Sequence, residues 1–190
     1  MKPREILLKA FVREKRKERG LRLIRPNRDL ARGHLVKADH NLIVMTDLKN
    51  LNHTDWVAVT AYYAMYQAAT AILAATGLDS KDHATTVAAL EYFFGEKMDA
   101  FLLEKFNELK EKKDRFEQLK IGEKLLDYFW KAKQSRETIQ YGIETTYQET
   151  ELVTKNAREF VTKIKLILEE LDEKVVKIIG QEARRLYNSS

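Results

Sequence analysis

The 190-residue sequence has no cysteine, two prolines and seven glycines. Without cysteine there can be no disulfide, thiolate-bound zinc, iron–sulfur cluster on thiolates or thiol nucleophile, and the chain suits a reducing cytoplasm. With so little proline and glycine, the many tight turns of an all-β fold would lack their usual residues. No GxxxxGK(S/T), GxGxxG, GxSxG or HExxH stretch occurs, so the P-loop, dinucleotide, α/β-hydrolase and zincin signatures are missing. The four histidines, His34, His40, His53 and His83, include no pair four residues apart, and no Glu-x-x-His is found. Neither a metal nor another cofactor is therefore expected.

What is present is charge, unevenly placed. Residues 1–32 carry twelve Lys/Arg against four acids, a net of +8, so the remaining 158 residues sum to −3 within the overall +5. The excess positive charge belongs to an N-terminal arm, residues 1–26, and the body behind it, residues 27–190, is mildly acidic. Pro3, followed by Ile6, Leu7, Ala10 and Phe11 on one face, predicts a short basic amphipathic helix that ends near Gly20. Its apolar stripe is narrow, so it needs the body or a partner to lean on.

Helical spacing then runs through the body. Pro26 breaks the chain, and Asn27 or Asp29 can cap a helix to about Leu51, with Leu30, Leu35, Ala38, Leu42, Met45 and Leu48 on its buried face. From Trp56 to Leu78 no residue is charged. That length could span a bilayer. However, Thr60, Tyr62, Tyr63, Tyr66, Gln67, Thr70 and Thr76 interrupt an alanine-rich run, which reads as the buried central helix of a bundle, with no membrane involved.

Gly77 ends that helix, and Ser80 can cap the next, from Lys81 to Phe94. Helical spacing resumes at Met98, Phe101, Leu102, Phe106, Leu109, Phe116 and Leu119, and again at Leu125, Leu126, Phe129 and Trp130. A loop holding Arg136 and Gly142 precedes one long amphipathic helix, from about Thr145 to Tyr187, which either breaks at Gly180 or projects beyond the bundle. No sustained alternation predicts a strand. The expectation is an all-α, up-and-down bundle of four to five core helices with a basic helical arm.

Two stretches stand out chemically. Tyr62, Tyr63 and Tyr66 sit in a nearly apolar helix, Tyr62 and Tyr66 on one face, and buried hydroxyls need partners. Arg136 is followed by Tyr141 and Gly142 near a helix end.

Ala61 to Ala69, then Gly77-x-x-x-Lys81-x-His83, then Arg136-x-x-x-x-Tyr141-Gly142 before the final helix, resemble in order and spacing the HEPN superfamily (higher eukaryote and prokaryote nucleotide-binding). The resemblance covers roughly residues 28–170. It implies an all-α bundle that homodimerises, and an RNA- or nucleotide-related function in a toxin–antitoxin or defence module, alongside a small nucleotidyltransferase. In active members an arginine and a histidine separated by four to six residues act on RNA without metal, the guanidinium on phosphate and the imidazole on protons.

Carried over, the resemblance implies catalytic roles for Arg136, Tyr141 and His83, and RNA or nucleotide contacts from Arg136, Lys81, Tyr62 and Tyr66. Tyr141 stands where those members have histidine, and an ordinary phenol, with a pKa of about 10, is a poor base near neutral pH. Gln67 replaces a histidine that many relatives carry in the tyrosine-rich helix. The segment from about Gly95 to Lys131 is longer than in compact members. Binding is thus better supported than cleavage. An active metal-independent endoribonuclease and a non-catalytic interaction dimer are the alternatives.

Overall fold

The computed structural model describes residues 2–95, 119–141 and 147–190, and the side chains of these except 135–141 and 147–149. The described helices are α1 (Pro3–Lys15), α2 (Arg28–Asn50), α3 (Thr54–Ala75), α4 (His83–Phe94), α5 (Glu123–Tyr141), α6 (Tyr147–Glu170) and α7 (Glu173–Ser189), and the strands are β1 (Leu21–Leu23) and β2 (Leu78–Ser80). The protein is an all-α bundle, as the spacing predicts. The apolar spacing from Met98 to Phe116 lies outside the described residues.

Helix α3 is the axis of the bundle. Ala61, Ala64, Ala68, Ala71 and Ala75 recur at three- and four-residue intervals and are buried, so α2, α5 and α6 approach its backbone closely. This helix is long and apolar enough to cross a membrane, but 67% of its most apolar window is buried inside the protein. Gly77 ends it at φ +87°, where a Cβ would meet the Ile24 carbonyl oxygen at 3.0 Å and the Pro26 ring. Helix α5 is anchored at its start by Ile121, whose buried N–H donates to the Phe94 carbonyl at the end of α4 (2.6 Å).

The basic arm is folded into the same core. Leu7, Ala10 and Phe11 are fully buried, and α1 packs on α4 and α7. β1 pairs antiparallel with β2, Leu21 opposite Ser80 and Leu23 opposite Leu78. This ribbon departs from the strand-free expectation, because three-residue strands are too short to display alternation.

Other boundaries shift for local reasons. Of the two caps the sequence offers, Asn27 and Asp29, it is Asn27 that caps α2, its side chain accepting the Leu30 N–H, but Leu30 itself is 43% exposed. It faces solvent, while Ala31 beside it is the residue of this turn that enters the core. Asp82 rather than Ser80 caps α4, because Ser80 is taken up in β2. Residues 135–141 continue α5 instead of forming a loop.

The long final helix is in fact two. It stops at Glu170 and restarts at Glu173 with Asp172 as cap, accepting the Val175 N–H at 2.9 Å, while Gly180 lies inside α7. A good cap here outweighs a glycine, which lowers helix propensity without forbidding the conformation.

Candidate functional site

His83 is the first residue of α4, so the cap before it fixes where its ring points. Asp82 accepts the Thr85 N–H at 2.8 Å and the Thr85 hydroxyl at 2.7 Å. Arg13, from α1, donates to Asp82 Oδ2 at 2.9 Å and to Thr85 Oγ1 at 3.0 Å. The arm is thereby bonded to the turn that carries His83.

Helix α3 brings the tyrosines to the same place. The Tyr62 hydroxyl is hydrogen-bonded to His83 Nδ1. With the phenol donating, the imidazole keeps its proton on Nε2. Tyr66, one turn on, packs edge-to-face on the His83 ring, centroids 4.5 Å apart. Tyr62 stacks on Phe129 of α5 at 6.1 Å, and Phe129 meets Phe160 of α6 at 5.0 Å. The layer runs from a dry interior to a wet edge: Tyr62 and Phe129 are buried, Tyr66 and His83 half-buried, and Tyr63 39% exposed. An imidazole N–H beside aromatic edges can donate to a phosphate and offer a stacking surface for a base.

Tyr62, Tyr66 and His83 thus come together. Lys81, two residues before His83, is ion-paired with Asp79 at 2.8 Å, and Arg22 reaches the same carboxylate oxygen at 2.6 Å across the β1–β2 ribbon. The side chains of Arg136 and Tyr141 lie outside the described ones, as does Gly142 altogether. Their backbone places Arg136 seven residues after Phe129, two turns along the same face of α5, and Tyr141 at the helix end. Gln67 accepts a hydrogen bond from His34 Nδ1 of α2 at 2.7 Å, a pairing of α2 with α3.

The residue missed from sequence is Arg13. It was one cation among twelve, and nothing in its spacing announces a partner 69 residues away. Among the described residues no three His, Asp or Glu side chains gather as a metal site would require.

A helical bundle with a tyrosine-rich central helix, a histidine at the next helix start and an arginine two turns beyond the aromatic stack is a HEPN-type architecture. The chain belongs to the HEPN domain family, which matches it over residues 31–173. No curated protein matches it. Membership is consistent with a nucleotide- or RNA-related, ribonuclease-like function. α1, β1 and nearly all of α7 fall outside the matched span, although α1 packs on α4, β1 and α7.

Proposed function

We propose that the protein binds RNA or nucleotide at the Tyr62–Tyr66–His83 cluster, with Arg136 of α5 supplying a phosphate contact. It acts as a homodimer within a cytoplasmic toxin–antitoxin or defence module, with a small nucleotidyltransferase as candidate partner. The observation that carries this reading is His83, held by Tyr62 on one nitrogen and by Tyr66 on its face, at the rim of the core. Tyr141 in place of the family histidine argues for a degenerate ribonuclease.

The reading predicts salt-dependent binding of single-stranded RNA, weakened by both His83→Ala and Arg136→Ala. Binding indifferent to salt and to both substitutions would remove it. Trp56 and Tyr63, seven residues apart on α3 and 57% and 39% exposed, support a second copy covering this edge. Sedimentation of the wild type and of Trp56→Glu tests that, with a monomeric wild type as the contrary result.

The second reading is an active metal-independent endoribonuclease, favoured by the accessible imidazole of His83 as proton carrier. Incubation with RNA in EDTA decides it: cleavage lost in His83→Ala supports it, and intact RNA with the wild type refutes it. An interaction module that docks partners through the arm has less support, because the arm's apolar residues are buried against this chain's own α4 and α7.

A further inference from the structure

The start of α2, the end of α6 and the outer face of α7 frame a groove at the far end of α3 from His83. Tyr62 and Ala75 are thirteen residues apart along that helix, about 20 Å. Two cavities, of about 760 and 380 Å³, meet there, and Arg28, Ala75 and Val176 line both. The smaller lies between Ala31 and Leu35 of α2 and Leu168 of α6. The larger follows one stripe of α7, Glu173, Val176, Lys177, Gly180, Gln181 and Arg184, about 16 Å long, opposite the linker between β1 and α2.

Gly180, in the middle of that stripe, answers to nothing inside the fold, since a Cβ there would meet nothing within 4 Å. Glycine weakens a helix interior, and no internal neighbour requires one here. What the bare backbone does provide is a flat place where a second chain can lie close against α7.

The lining is aliphatic and basic. Leu35, Leu168 and Val176 form a half-buried floor, and every apolar residue around both cavities is aliphatic, a surface for aliphatic side chains and not for the stacking that a base requires. Six cations face two carboxylates, Glu169 and Glu173. Arg25, Lys177 and Arg184 form no ion pair among the described residues, whereas Arg13, Arg22 and Lys81 are each matched to an aspartate. An excess of positive charge along an aliphatic groove is complementary to a chain that is both acidic and aliphatic. Grooves framed by helices accept a further helix, anchored by side chains one turn apart.

We propose that this groove docks an acidic helical segment of a partner protein, its aliphatic side chains on Leu35, Leu168 and Val176 and its carboxylates on Arg25, Lys177 and Arg184. Close approach at Gly180 lets the segment reach the aliphatic floor and the cations together. The surface lies apart from the His83 cluster, does not depend on the function proposed there, and leaves the buried face of α1 in place.

The test is fluorescence anisotropy of the full chain at low salt with three labelled peptides of about 16 residues. One is built of Glu, Ala and Leu with leucines at i, i+3, i+7 and i+10, the second is its scramble, and the third keeps the leucine pattern with Lys in place of Glu. The first should bind, and the other two should bind at least about tenfold more weakly. Lys177→Glu and Arg184→Glu should each weaken the acidic peptide about tenfold, whereas Lys131→Glu, exposed on α5 and equal in its change of net charge, should leave it unchanged. Gly180→Gln, which obstructs the close approach without altering charge and favours the helix, should weaken binding to a similar degree, with the fold retained by circular dichroism. No binding of the acidic peptide, equal binding of its scramble, equal losses from Lys131→Glu and Lys177→Glu, or indifference to Gly180→Gln overturns the proposal. Single-stranded RNA that binds through Lys177 and Arg184 where the acidic peptide does not would make the groove a nucleic-acid surface and overturn it as well.

Discussion

Arg13 of the N-terminal helix and Asp82, the cap of α4, are joined at 2.9 Å across 69 residues of sequence. Because Asp82 directly precedes His83, an arginine of the basic arm sets the frame for the histidine of the candidate site. Arg13→Ala leaves the cap without its cation and should cost about 1 kcal/mol, measured by urea unfolding. RNA affinity should fall several-fold even though Arg13 belongs to no proposed RNA contact. An unchanged His83 imidazole resonance by NMR would show that the arm does not act on the site.

Tyr62→Phe removes the hydroxyl from His83 Nδ1 and keeps the ring between Tyr66 and Phe129. The freed nitrogen then has no phenol to fix its tautomer, so nitrogen-15 spectra should show the ring proton redistributed between Nδ1 and Nε2. The expected stability loss is about 1 kcal/mol. A tautomer ratio identical to wild type contradicts the assigned hydrogen bond.

Glu182 of α7 is fully buried, accepts the Tyr92 hydroxyl at 2.6 Å and lies 3.6 Å from Arg185. Tyr92→Phe should destabilise the fold by about 1.5–3 kcal/mol, the range for a hydrogen bond to a charged group. Glu182→Gln should cost less, because an amide can still accept that hydroxyl while shedding the buried charge. Equal losses for the two variants would argue that packing, not the carboxylate, matters there.

The division between α6 and α7 gives opposite signs at two nearby positions. Asp172→Ala loses a cap and should destabilise by about 1 kcal/mol. Gly180→Ala, inside α7 with open space beside it, should stabilise by up to about 1 kcal/mol. Thermal melts distinguish this from a helix broken at Gly180, for which Gly180→Ala would be the damaging change.

Gly77 is a further backbone constraint. At φ +87° and with the Ile24 carbonyl 3.0 Å from where a Cβ would stand, Gly77→Ala should cost about 1–3 kcal/mol and loosen the arm linker. Limited proteolysis near Arg25 reports it, and wild-type resistance would count against the strain.

The sequence by itself determined the helical class, the buried central helix, the start of α2 just after Pro26 and the stop at Gly77, because periodicity, capping and glycine conformation are local physics. The same applies to the order of motifs that marks the family, since each motif lies on one short segment. Only the tertiary structure decided what the charges do. Arg13 and Arg22 look like free cations in the sequence and are matched to Asp82 and Asp79, while Arg25, Lys177 and Arg184, distant in sequence, line one recess. Charge interactions act through space with no periodic signature, so a count of +8 over residues 1–32 could not say which cations were already neutralised inside the fold.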